Sequence, residues 1–241
     1  MDLYILITIL ITAIVQSIFG TGVLLFGTPL LLILGYNFQY ALIILLPTSI
    51  LISFFQLKNN LDKIDFQFYK KLFLFSIPPI ILFFYLTNLN SIRINIFVGI
   101  FLVVVAIKEN ILSINRMIKF LIKYESLYLM IMGMIHGITN LGGALLSAIV
   151  FSKNLSKDSK RTTIAICYLT FALFQIITLI IAFNDNSFLN IFNFVYWILG
   201  PVTFFTVEKY LYFRIDGEKY IKYSNFFLFI LGLMLIILNA R

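Results

Sequence analysis

Charge is scarce in this chain and negative charge scarcer: ten residues of 241 are Asp or Glu, and both signs together make up 12%. So little polar surface cannot cover a water-soluble domain. The hydrophobic residues, 61% of the chain, fall in long runs that read as bilayer spans rather than one core. No stretch of ordinary soluble composition is long enough to stand apart, so residues 1–241 are expected to form a single membrane domain. Cysteine is nearly missing. Cys167 stands alone in an apolar segment, which excludes a disulfide framework or a thiolate metal site within the chain. A basic leader and a small-residue cleavage site are both missing after Met1-Asp2, so the first apolar segment is expected to be retained.

The carboxylates are absent from where they would matter most. Asp2, Asp62, Asp65, Glu109, Glu125, Asp158, Asp185, Glu208, Asp216 and Glu218 all lie in loops or at segment ends. Without a mid-span carboxylate, cation transport and a carboxylate proton relay are disfavoured. One histidine, one cysteine and no paired carboxylates leave no nucleophile–base pair or ligand cluster for an enzyme, so no catalytic residue, metal or cofactor is expected. The formal net charge of +8 would raise nucleic acid as a partner in a soluble protein. Here the basic residues sit in short loops beside apolar spans, so the expected partner is the lipid bilayer and not nucleic acid.

What is present is a series of apolar segments: Leu3–Phe19, Val23–Leu34, Phe38–Leu57, Phe68–Leu86, Ile92–Ile107, Leu127–Ile138, Ala144–Phe151, Thr162–Phe183, Leu189–Val207 and Phe226–Asn239. A spanning helix needs roughly 20 residues. Six segments come close. The first and second are separated by Gly20-Thr21-Gly22, and the sixth and seventh by Thr139-Asn140-Leu141-Gly142-Gly143. In each pair the second member is too short to cross alone. Two broken or re-entrant helix pairs are therefore expected, their irregular backbone buried in protein. Pro29 follows the first break, Pro47 and Pro201 lie inside spans, and Pro78-Pro79 is expected to interrupt the fourth segment.

Loop charge gives an orientation. Of the 18 Lys and Arg, all but Arg93 and Arg241 fall in four groups: Lys58 to Lys71, Lys108 to Lys123, Lys153 to Arg161 and Lys209 to Lys222. The positive-inside rule places these in the cytoplasm. The loops at Asn37, Thr87 to Ser91 and Asn184 to Ser187, and both termini, then face outward. The first pair enters and leaves from outside and the second from the cytoplasm, each followed by three crossings. The expected fold is thus all-α, two inverted five-segment repeats over residues 1–123 and 124–241. Inverted repeats with interrupted helices in matching places point to a transporter site at the breaks. The halves also share sequence likeness: Gln16 to Gly22 lies opposite His136 to Gly142, and Ser53 to Gln56 opposite Ala172 to Gln175.

A broken helix exposes backbone N–H groups at the start of its second half, and these attract negative charge. Gly22 and Gly142 mark those starts. Gln16, Ser17, Gly20 and Thr21 flank the first break; His136, Thr139, Asn140 and Gly143 flank the second. With Gly22 and Gly142 they form the candidate substrate-binding set. Thr28 also flanks the first break, and Thr48, Ser49, Gln56, Thr170 and Gln175 lie within neighbouring spans; hydrogen bonds between helices are the alternative reading of each. His136, the sole histidine, is open to three roles: substrate ligand, proton carrier, or neutral core residue.

This pattern resembles the TauE/SafE sulfite exporter family, whose first repeat reads Gly-Ile-Gly-Gly-Gly, four residues, Pro, and a short apolar run ending in Gly. Gly20, Gly22, Pro29 and Gly35 match those positions; Ala41 and Ser49 resemble the Ala and Ser of the following helix. Gly137, Gly142 and Gly143 match the repeated motif. Val23, Leu24 and Asn140 stand where the family has glycine. The resemblance implies a multi-pass inner-membrane carrier of sulfite, an organosulfonate or a related small anion. The membrane voltage favours export of anions. A channel-like facilitator of a small neutral or weakly acidic solute is the alternative, and a scaffold role and a homo-oligomeric assembly stay open.

Overall fold

The computed structural model describes residues 2–19, 22–58, 60–89, 94–108, 111–183, 190–211 and 217–239. Every regular element among them is helical. They are α1 (Leu3–Phe19), α2 (Val23–Ile33), α3 (Phe38–Leu57), α4 (Phe66–Leu89), α5 (Ile94–Ile107), α6 (Leu112–Lys123), α7 (Glu125–Thr139), α8 (Gly143–Ser152), α9 (Lys157–Phe183), α10 (Ile191–Leu211) and α11 (Gly217–Asn239), with a 3₁₀ turn at Leu61–Lys63. The outward loop expected at 184–187, and residues 90 and 91 of the one before it, lie outside the described residues.

Local chemistry sets the boundaries. Helix α2 ends in a Schellman arrangement: Gly35, at φ +89°, donates to the Leu32 carbonyl, and Tyr36 donates to that of Leu31. Asn37 then starts α3, its side chain accepting from the Tyr40 amide at 2.7 Å. Asn140 closes α7 in the left-handed conformation, φ 60°.

Four helices are long and apolar enough to cross a membrane: Phe38–Leu57, Phe66–Asn88, Lys157–Ala182 and Ile191–Tyr210. Six crossings were expected. The two others are shorter: α5 has 14 residues, and the apolar stretch of α11 is Asn225–Leu238. Pro78 and Pro79 do not interrupt α4, which runs unbroken through both. Being adjacent, the two prolines confine the missing N–H groups to a single turn, and α7 packs closely along this helix. The basic segment from Lys108 to Lys123, read as a loop, contains the 12-residue helix α6.

Helices α3 and α9 lie side by side at the centre. Helix α4 packs on α7 and α9, α10 on α1 and α3, and α5 on α11. Gly99 and Gly232 make that last contact close: a methyl on Gly99 would sit 2.9 Å from the Gly232 carbonyl, and one on Gly232 would sit 2.8 Å from that of Gly99. Short α2 is the most enclosed helix, buried from Val23 through Pro29 and again at Leu31 and Leu32. Large apolar side chains cover the outside, among them Leu3, Ile7 and Ile11 along α1 and Ile177, Ile180 and Ile181 along α9. A helical chain so apolar both inside and out is a multi-pass membrane protein.

Candidate functional site

Each glycine break is a hairpin. At the foot of the first, Tyr36 beyond α2 donates a hydrogen bond to Asp2 before α1, and the Asp2 amide donates to the Tyr196 phenol at 2.5 Å. At the foot of the second, Glu125 at the start of α7 pairs with Lys153, just past α8, at 2.8 Å and with Lys71 at 2.7 Å.

The tips of the hairpins are built alike. Gly22 brings α2 against α1: a methyl there would lie 2.6 Å from the Gln16 amide nitrogen and 2.8 Å from the Thr12 carbonyl. Gly142 brings α8 against α7: a methyl there would lie 2.5 Å from His136 Cβ and 3.0 Å from the Met132 carbonyl. Only glycine permits either approach. A side chain from the first helix caps the second in both. Gln16 Oε1 accepts from the Val23 amide at 2.8 Å, and His136 Nδ1 accepts from the Gly142 amide at 3.2 Å. These bonds satisfy donors that a helix start leaves orphaned.

The bond from Gly142 also fixes the histidine tautomer. With Nδ1 accepting, the neutral ring carries its proton on Nε2 and presents an N–H donor there. His136 is fully buried, its ring 4.7 Å from that of Phe171, and Nε2 has no hydrogen-bond partner. Gln175 adjoins it near enough to interact weakly with the imidazole, but no hydrogen bond of good geometry joins them, and both polar atoms of that carboxamide are buried. Ser49 and Ser53 on α3 each bury a hydroxyl without a partner. Buried polar groups are normally satisfied. These unspent groups lie at the second break and on the packed α3–α9 pair.

The remaining candidate residues divide. Thr139 is occupied locally, its hydroxyl donating to the Ile135 carbonyl at 2.7 Å and accepting from the Leu141 amide at 3.1 Å. Asn140 reaches across to α2, its Nδ2 donating to Thr28 Oγ1 at 3.0 Å. Gly143 leaves space for the Tyr168 phenol, which any side chain there would strike. Ser17 turns its hydroxyl back to the Ile14 carbonyl at 2.7 Å. Gly20 and Thr21 lie outside the described residues. Thus Gln16 and Gly22 meet at one tip, His136, Asn140 and Gly142 at the other, and Asn140 links the second tip to α2.

Arg161 was read as a loop charge only. Its guanidinium pairs with Glu208 on α10 at 2.5 Å, donates to the Ser17 carbonyl of α1 at 3.3 Å and lies over the Phe204 ring at 5.6 Å. A cleft of about 180 Å³ lies beside it, lined by Gln56, Asn60, Lys63, Asp158 and Thr162 among others. The one available signal was its place as the last cation before the apolar run of α9. Among the described residues no three His, Cys, Asp or Glu side chains gather to hold a metal.

The model of the family described as Sulfite exporter TauE/SafE matches residues 5–236. No curated protein and no solved structure matches the chain.

Proposed function

The chain belongs to the TauE/SafE sulfite exporter family, and from that footing we propose that it carries a small sulfur oxyanion or organosulfonate out of the cell. The observation that carries this reading is the pair of unspent, uncharged donors at the second break, His136 Nε2–H and the Gln175 carboxamide, fully buried beside the start of α8. Neutral donors together with a helix N-terminus can hold an oxyanion without a buried cation. Gln16, Ser17, Gly20, Thr21, Gly22, Thr139, Asn140, Gly142 and Gly143 form the rest of the proposed site, as backbone donors or as the residues that shape the two tips.

Alternating access follows from an inverted-repeat reading, with repeats at 1–123 and 124–241. Several contacts support it. The α1–α10 packing has its counterpart in α7–α4, and α3–α10 in α9–α4. Gly22 with Gln16 and Thr12 has its counterpart in Gly142 with His136 and Met132. Gly99 and Gly232 meet reciprocally, as residues near a two-fold axis do. Helix α10 runs from the foot of the first hairpin, at Tyr196, to the opposite end, where Glu208 holds Arg161. On the positive-inside reading that second end faces the cytoplasm and both termini face outward.

The test is sulfite and sulfonate flux from proteoliposomes, compared between the unmodified protein and His136→Gln. Glutamine, the residue at the matching place in the first hairpin, can still cap Gly142 but removes the imidazole N–H. Loss of one hydrogen bond to a charged ligand is expected to weaken half-saturation by roughly 10- to 100-fold with the melting temperature kept. Flux that never saturates would replace the carrier reading by a pore.

A further inference from the structure

Helix α6 joins the two halves and has a surface that hairpins, spans and site do not use. It contains Arg116, Lys119 and Lys123 and no acidic residue. At 100° per residue Arg116 and Lys123, spaced i, i+7, fall on one narrow stripe. Ile118, Leu121 and Ile122 turn inward and pack against the core. Leu112, Met117 and Phe120 are left 71%, 55% and 56% exposed. Basic stripe and bare apolar residues therefore run together along the axis of the same short helix.

We propose that α6 lies flat in the membrane surface and binds anionic phospholipid headgroups. A helix that crossed the bilayer would carry its cations through hydrocarbon; one lying in the interface buries the apolar side and keeps the cations among phosphates. Charge complementarity selects anionic lipid over neutral lipid, since the stripe has no carboxylate of its own to pair with. The described carboxylate next to α6 along the chain, Glu125, is already taken by Lys71 and Lys153. Those contacts also hold the end of α6 at the face where the α7–α8 hairpin has its foot. Basic residues near an anionic surface each gain about fivefold in binding, so the three together favour an anionic leaflet by on the order of 100-fold. The helix then acts as a fixed anchor between the halves.

Cys167 is fully buried, so a maleimide dye on Phe120→Cys reports from α6 alone. The labelled protein is reconstituted in phosphatidylcholine vesicles, with or without phosphatidylglycerol. With phosphatidylglycerol the dye should shift to the blue and lose most of its quenching by the neutral aqueous quencher acrylamide, and Arg116→Gln with Lys119→Gln and Lys123→Gln should abolish the difference. Met117→Cys provides the same readout if Phe120→Cys does not fold. Equal acrylamide quenching in both vesicles would overturn the proposal. Protection that follows the protein-to-lipid ratio instead of lipid charge would also overturn it, and would assign the face to a second copy of the chain.

Discussion

Glycine does two different jobs in the first half, and substitution separates them. Gly22 stands where a Cβ would strike the backbone of α1, the Gln16 nitrogen at 2.6 Å and the Thr12 carbonyl at 2.8 Å. Backbone cannot step aside as a side chain can. Gly22→Ala should therefore cost at least about 1–3 kcal/mol through overpacking and displace the Gln16 cap. Gly35 has open space where a methyl would stand, with nothing within 4 Å, but its φ of +89° belongs to the left-handed region. Gly35→Ala should cost about 1–2 kcal/mol from backbone strain alone, and Gly35→Asn should recover part of it, because asparagine tolerates that conformation. Denaturant melts of the three variants in detergent check the contrast. If Gly35→Asn were no better than Gly35→Ala, crowding and not φ would be the cause.

At the scale of elements, the feet of the hairpins are held by polar contacts outside the spans, and one of them titrates. The hydrogen bond from Tyr36 holds the Asp2 carboxyl below its ordinary value of 3.8, the chief influence on it, against partial desolvation. Burial and the nearby carboxylate raise the Tyr36 phenol. A carboxyl depressed in the folded state adds stability that is full above its unfolded pKa and is lost as pH falls through the folded one. The closure of the α1–α2 foot should thus hold at neutral pH and fail below about pH 4. Asp2→Asn, which keeps an acceptor but cannot titrate, should flatten that dependence. Amide exchange across residues 2–8 as a function of pH is the measurement, and an unchanged acid limb in Asp2→Asn would refute the assignment. The helices and the glycine breaks were legible in the sequence because long apolar runs and glycine interruptions are local signals, but only four of the six expected crossings are long and apolar enough to span. Helix α6 was not, because Arg116, Lys119 and Lys123 read as loop charge until the period of the apolar residues between them is counted. The caps were not legible either: Gln16 to Val23 and His136 to Gly142 join residues across a turn whose path no local pattern specifies. Gln175 carried only the ambiguous mark of a polar residue in a span.

For the molecule as a whole, the decisive joint is Arg161. There a single side chain ties α9 to both α1 and α10, through the Ser17 carbonyl and Glu208. Its side chain is 16% exposed and that of Glu208 23%, so the pair is shielded from solvent far more than Lys63–Asp158, at 36% and 57%. Exposed pairs contribute about 0–1 kcal/mol; removing one partner of a buried pair costs about 3–5. For this partly buried case Arg161→Gln should cost about 1–3 kcal/mol, between those limits, while Lys63→Ala should be nearly silent. Under the alternating-access proposal the same variant loosens the end of the molecule that Arg161 closes. A cysteine placed at Gln56, in the adjoining cleft, should then react faster with a charged maleimide in Arg161→Gln than in the unmodified background. Faster labelling together with lower stability would mean that Arg161 holds that end shut. Lower stability with unchanged labelling would mean that it braces the helices without gating the path.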